Sequence, residues 1–135
     1  MSETRAERLA DALDVFLRAC PEVEALAVSS GDGLPMVTAL PAGMDEDHVS
    51  AVMASLLALA ERTCTAVDRG RLRLLWLEAD EGGVCLMAAG RRAVLAAVVD
   101  VDAKAGMILH EMRRAASRIG EALDEVTERT GSGDQ

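Results

Sequence analysis

The chain has 135 residues and a formal net charge of −9, and half of its residues are hydrophobic although it contains one Phe, one Trp and no Tyr. This length predicts one domain with a sizeable core, which Leu, Val, Ala and Met must build because aromatic side chains are nearly absent. The acidic balance argues against nucleic acid and anionic membranes as partners.

The first predicted helix spans residues 3–20, with Ser2 or Thr4 as its cap and Pro21 at its end. Apolar residues recur along it at helical spacing and form one stripe. The members of that stripe are Ala6, Leu9, Ala10, Leu13, Phe16, Leu17 and Cys20.

Two strands are predicted next, over residues 25–30 and 34–40, joined by the turn Gly31-Asp32-Gly33. An Asp-Gly pair between two runs of strand-forming residues is a strong hairpin signal. Pro35 predicts that the second strand lies at an edge of the sheet or begins irregularly.

A second helix is predicted from a cap at Asp45 to about Val67. Its apolar residues cover more than the stripe of about 100° that a helix needs to rest on a sheet. This width favours self-association through the helix, and the alternative is deeper burial within its own fold. The apolar residues of this helix are Val49, Val52, Met53, Leu56, Leu57, Ala60, Cys64 and Val67, and Ala51 and Leu59 widen the apolar surface.

A three-strand meander follows over residues 72–78, 84–89 and 93–100, because short Gly-containing gaps separate three apolar runs. The third helix then runs from residue 103 to about 129, capped by Asp102, and residues 131–135 form a flexible tail. Its predicted buried face is Ile108, Met112, Ala115, Ile119, Leu123 and Val126.

The resulting order is α-β-β-α-β-β-β-α, an α+β fold with a five-stranded antiparallel sheet in one domain of residues 1–130. The charged N-terminus has no signal-peptide core, and the longest apolar run, residues 93–99, is too short to cross a bilayer. Widely spaced Cys20, Cys64 and Cys85 are typical of buried free thiols in a reducing compartment. We therefore expect a cytoplasmic protein without membrane insertion.

The sequence offers no catalytic, cofactor or metal site, so we expect that the chain is not an enzyme. It has no G-x-x-x-x-G-K-[ST] motif, and Arg114 stands where a second His would complete H-E-x-x-H after His110. His48 and His110 are more simply solvated or structural residues. Arg91 and Arg92 at a hairpin tip suggest either an arginine finger or, more simply, a solvated turn.

Three segments resemble the Roadblock/dynein light chain superfamily, in its branch of bacterial small-GTPase regulators. They are VEALAVSSGDGLP from Val23, GRRAVLAAVVD from Gly90 and ILHEMRRAASRI from Ile108. The resemblance spans about residues 5–126. It implies a profilin-like sandwich with helices on both faces, which homodimerises and regulates a small Ras-like GTPase in signalling, motility or cell polarity.

The resemblance also implies where partners bind, since in the family the central helix and the first meander strand meet their copies. The dimer interface would then comprise Val49, Val52, Met53, Leu56, Ala60, Leu72, Leu74 and Trp76. Exposed groups of the central helix near the symmetry axis would meet the GTPase, namely Glu46, His48, Ser50, Glu61 and Arg62. The alternatives are a structural adaptor that holds a sensor kinase or scaffold, and a small-ligand sensor, for which convergent polar groups are scarce.

Overall fold

The computed structural model describes the backbone of residues 3–133 and the side chains of residues 3–124. This part of the chain follows the predicted order α-β-β-α-β-β-β-α, which confirms the fold class. The elements are α1 Arg5–Ala19, β1 Val23–Ser30, β2 Pro35–Ala39, α2 Glu46–Ala66, β3 Leu75–Ala79, β4 Gly82–Ala89, β5 Ala93–Asp100 and α3 Ala105–Gly133.

Side-chain caps begin the first two helices where the sequence predicts them. The Thr4 hydroxyl oxygen accepts a hydrogen bond from the Glu7 amide at 3.1 Å. An Asp45 carboxylate oxygen accepts from the amides of Asp47 and His48, at 3.0 and 3.3 Å. These caps satisfy amides that no carbonyl of the helix can reach.

All strands pair antiparallel in one sheet, in the order β2-β1-β5-β4-β3. The hairpin β1–β2 and the meander β3–β4–β5 are confirmed, and they join where β1 pairs with β5, with Ala27 opposite Ala96. Because β2 and β3 lie at opposite edges, α2 must cross the sheet between them. Pro35 begins edge strand β2, as its missing amide hydrogen predicts.

Alternate side chains of the central strands enter two separate cores. Leu26, Met87 and Leu95 point to one face and pack with α1 and α3. Ala27 and Leu86 point to the other face and pack with α2. Helices therefore lie on both faces of the sheet, as the family resemblance implies.

The predicted buried face of α3 is confirmed as far as side chains are described. Its residues follow helical spacing and all lie in the larger core, next to α1. They are Ile108, Met112, Ala115, Ile119 and Leu123. The sixth predicted member, Val126, lies outside the described side chains.

The first meander strand begins later than the sequence predicts. β3 starts at Leu75 and not at Leu72. After α2 the chain reverses through Asp68, with φ of 55°, and Gly70, with φ of 84°. Residues 72–74 complete this reversal before the chain pairs with β4, and they lie outside the strand.

The prediction that Asp102 caps α3 is wrong. The helix begins at Ala105, and the carbonyl of Lys104 accepts a hydrogen bond from the Ile108 amide at 3.3 Å. Residues 100–103 are instead taken up by a turn, in which the Ala103 amide donates to the Asp100 carbonyl at 3.0 Å. The turn places Asp102 too early to cap the helix.

At its other end, α3 continues to Gly133, past the predicted end near Arg129. Residues 131–133 of the predicted flexible tail are therefore helical, and residues 134–135 lie outside the described residues. Each residue added to an existing helix gains a hydrogen bond, which offsets part of the cost of about 1 kcal/mol for glycine in a helix.

Candidate functional site

Helix α2 rests on the sheet through small and aliphatic side chains spaced about one turn apart. Ser50, Ala54 and Leu57 are buried, with exposed fractions of 4% or less. The helix contacts β1, β2, β4 and β5, so α2 covers the centre of its face of the sheet. This buried face is narrow, and it leaves most of the helix uncovered within one protomer.

A second surface of α2, which we call the apolar stripe, consists of Val49, Val52, Met53, Leu56 and Ala60. Four of these residues are partly buried, and Val52 is 47% exposed. The spacing 49, 53, 56, 60 alternates steps of four and three residues, which is the heptad spacing of helices that pack on other helices. The sequence-predicted interface residues of α2 are thus brought together on one side of the helix.

The apolar surface continues at edge strand β3. Leu75 packs with the α2-side core, so alternation places Leu77 on the same face, where it is 41% exposed. It lies opposite the partly buried Val84 of β4. Leu75 and Leu77 are not among the sequence-predicted interface residues, because the predicted strand starts three residues early.

The other predicted interface residues near β3 do not share one face. Leu72 packs against the core on the α2 side. Leu74 and Trp76 pack against the core on the opposite side, with α1 and α3. Leu72 and Leu74 both precede the strand, which begins at Leu75, so strand alternation does not place them on one face.

One predicted partner-binding residue is misplaced: Ser50 is fully buried, not exposed. Its hydroxyl oxygen has no hydrogen-bond partner within the described structure. Ser50 lies one turn before Ala54, so helical periodicity turns it toward the sheet. A polar residue on an apolar helix suggests solvent exposure, but here its small size lets the helix approach the strands.

The remaining predicted partner-binding residues are exposed but do not form one patch. Glu46 and His48 lie about 160° apart around the helix, since each residue turns it by about 100°. Glu46 and Glu61 lie about 22 Å apart along it. A Glu46 carboxylate oxygen accepts a hydrogen bond from the Thr38 hydroxyl at 3.0 Å. Arg62 lies at the far end with Glu61.

The thiols do not form a reactive centre in the described part of the chain. Burial raises the pKa of Cys85 to about 11, and burial likewise raises the pKa of Cys20. Cys64 is partly buried, and all three thiols are free. Among residues 3–124, no cluster of three His, Cys, Asp or Glu side chains is placed to hold a metal ion.

By length and composition alone, α2 also meets the criteria for a helix that could cross a membrane. Little of it is buried within the protomer. However, it carries Glu61 and Arg62 within its length, and charged groups are costly in lipid.

Comparison with known sequences identifies a family. A model described as Roadblock/LC7 domain matches residues 9–99. Two proteins of Methanocaldococcus jannaschii, both described as uncharacterized, are each 31% identical over 88 residues, which covers 65% of this chain and 76% of each relative. A third protein of that organism, with the same description, is 27% identical over 113 residues, covering 84% of this chain and 95% of its own.

Several solved structures share the fold. The gliding protein MglB from Thermus thermophilus superposes with a TM-score of 0.80 at 17% identity, over 93% of this chain and 95% of MglB. A Roadblock/LC7 domain from Streptomyces avermitilis gives 0.76 at 22% identity, over 82% and 92%. Profilin IB from Acanthamoeba castellanii gives 0.57 at 18% identity, over 80% and 94%, which confirms the profilin-like architecture.

Proposed function

The chain belongs to the Roadblock/LC7 domain family, and from this premise we propose that it forms a homodimer that binds a small Ras-like GTPase and modulates its activity or localisation. The proposal is carried by the apolar stripe of α2. Within one protomer this surface is only partly covered, although its heptad spacing is suited to a second helix. The simplest partner for the apolar stripe is the same helix of a second copy of the chain.

A two-fold arrangement would bury the stripe against itself and bring the two β3 edges together. Among the described residues, each β3 strand pairs only with β4 in its own sheet, so its outer edge has free backbone donors and acceptors. Pairing two such edges would join the sheets and cover Leu77 at the same time. The helical and strand parts of the interface therefore support one symmetric dimer.

The GTPase is proposed from the family likeness, because bacterial members that this chain resembles regulate Ras-like GTPases. The sequence has no G-x-x-x-x-G-K-[ST] motif for binding phosphates, so in this proposal the GTPase partner binds the nucleotide. In the proposed dimer the two α2 helices lie side by side at the symmetry axis. One GTPase placed on that axis would contact both copies, and the dimer would act without catalytic residues of its own.

The experiment is calorimetric titration of the dimer with each Ras-like GTPase encoded in the same genome, in the GDP state and in the GTP-analogue state. We expect two chains per GTPase in at least one state, with an affinity that falls as salt rises. Binding without a change in hydrolysis rate would indicate docking alone. Failure to bind in both states would contradict the proposal and leave the structural adaptor as the alternative.

Charge reversal locates the GTPase-binding surface. Because Glu46 and Glu61 lie at opposite ends of α2, each is changed singly, as Glu46→Lys and Glu61→Lys. We expect at least a threefold loss of affinity and a weaker salt dependence for the variant that faces the partner. Glu121→Lys is the matched control, since Glu121 is exposed on α3 behind the sheet. Equal affinities for all three variants would place the binding surface elsewhere.

A further inference from the structure

An open groove of 1110 Å³ lies between the C-terminal half of α2 and the tip of the β4–β5 hairpin. Its floor is apolar and includes Leu57, Ala58 and Val94. Residues 90–92 of the hairpin turn form one wall. Most of the groove lies away from the apolar stripe, since Ala58 is about 160° around the helix from Leu56, although Leu59 and Thr63 at its margin adjoin the stripe. Dimerisation through the stripe would therefore leave open the part of the groove between Ala58 and the hairpin turn.

The rim of the groove is strongly basic. Arg62 of α2, Arg71 after α2, and Arg91 and Arg92 of the hairpin turn all line it, and the one acidic lining residue is Glu61. Four arginines and one glutamate give a local charge of +3, in a chain whose net charge is −9. Because these positions are distant in sequence, the sequence alone does not bring Arg62 and Arg71 together with Arg91 and Arg92.

These guanidinium groups are available to a partner. All four arginines are exposed. In residues 3–124, none of the four side chains takes part in a hydrogen bond or ion pair, whereas Arg18 pairs with Asp14 at 2.8 Å. Four unpaired positive charges around one apolar floor repel one another, and an anionic occupant would relieve that repulsion.

We propose that this groove binds an acidic, extended segment of a partner protein, with carboxylates on the arginine rim and apolar side chains on the floor. Arg forms bidentate hydrogen bonds with carboxylates, so the rim suits Asp and Glu. The groove is larger than the roughly 300–1,000 Å³ of small-molecule sites. Its lining contains no aromatic ring on which a nucleotide base would stack, which favours a peptide.

The test is fluorescence anisotropy with a labelled twelve-residue peptide of alternating Glu and Leu. We expect saturable binding to the wild type and at least a tenfold weaker affinity for the double variant Arg91→Glu/Arg92→Glu. The matched control is Arg113→Glu/Arg118→Glu, which makes the same change in net charge on exposed positions of α3. This control should bind within twofold of the wild type.

The loss of peptide affinity in the double variant could also reflect misfolding or non-specific attraction between opposite charges. Two further measurements distinguish these causes from binding in the groove. Glu61→Gln removes the acidic group of the rim and should tighten binding by a few-fold. A peptide with Ser in place of each Leu should bind at least fivefold more weakly, because the floor is apolar. Equal binding of both peptides, equal loss in the α3 control, or tighter binding of inorganic polyphosphate than of the Glu-Leu peptide would overturn the proposal. None of these measurements depends on the GTPase.

Discussion

Ser50 shows how a small side chain lets α2 lie close to the sheet. Its exposed fraction is 0%, and its hydroxyl oxygen has no hydrogen-bond partner in the described structure. A buried hydroxyl without a partner costs about 1–3 kcal/mol. Its small volume, and not its polarity, therefore explains its place between α2 and the sheet.

Replacing this hydroxyl should stabilise the fold. We expect Ser50→Ala to raise the free energy of unfolding by about 1 kcal/mol or more beyond any gain in helix propensity. Ser55→Ala is the control, because Ser55 is exposed in the same helix and reports propensity alone. Urea denaturation of both variants measures the difference. Equal stabilities would mean that the Ser50 hydroxyl does find a partner in solution.

Cys85 should make stability depend on pH in the alkaline range. Its folded-state pKa is raised by burial from 9.0 to about 11. The folded protein therefore keeps a proton that the unfolded chain releases between these values, so stability present below the lower pKa falls as the pH rises toward the higher one. Cys85→Ala should show a shallower fall than the wild type in urea denaturation over this range. A fall unchanged by Cys85→Ala would contradict the assignment.

At the scale of elements, α3 meets the β4–β5 hairpin at a backbone contact between two glycines. A Cβ on Gly120 of α3 would lie 2.7 Å from the Gly90 nitrogen, closer than packed atoms allow. Gly90 also has φ of 69°, which favours glycine. The pair fixes α3 against the turn that carries Arg91 and Arg92.

The two glycines Gly106 and Gly120 of α3 should therefore respond oppositely to alanine. Gly120→Ala should lower the free energy of unfolding by about 1–3 kcal/mol through overpacking. Gly106→Ala, where a Cβ would meet nothing within 4 Å, should raise it by up to about 1 kcal/mol through helix propensity. Thermal denaturation followed by circular dichroism compares them. A stabilised Gly120→Ala variant would contradict the close contact.

The sequence predicts those elements whose signals are local. The caps Thr4 and Asp45 and the strand over residues 93–100 are correct, because side-chain capping and Gly-bounded apolar runs depend on neighbours in sequence. The pairing of β1 with β5 has no such local signal, since it joins residues about seventy positions apart. The start of β3 differs from the prediction because Leu72 continues an apolar pattern through a turn that only the backbone angles reveal.

The residues of the candidate site are likewise predicted correctly where the signal is local and missed where it is not. Periodicity correctly groups Val49, Met53, Leu56 and Ala60 on one side of α2. Periodicity alone does not identify which side of α2 lies on the sheet, and Ser50 is therefore wrongly predicted to be exposed. The arginine groove is hidden from the sequence for a different reason. Its arginines meet only because α2 crosses the sheet and the chain returns to β3 near the hairpin tip.

At the scale of the whole molecule, the central proposal is self-association through the apolar stripe. Val52 is its most exposed member, so a change there leaves the protomer core intact. Val52→Asp places a carboxylate in the proposed interface, where burying an unpaired charge costs several kcal/mol. Ala58→Asp adds the same charge at an exposed position about 160° around α2 from Leu56 and should leave the dimer unchanged. Retained circular dichroism would show that both variants fold.

Light scattering of the purified chain at micromolar concentration tests the proposed dimer most directly, because it measures the mass of the particle in the absence of any partner protein. We predict about twice the chain mass of 14.2 kDa for the wild type and Ala58→Asp, and the single-chain mass for Val52→Asp. A Val52→Asp protein that keeps the doubled mass would show that the copies meet through another surface. A wild-type mass of one chain would contradict the proposed dimer.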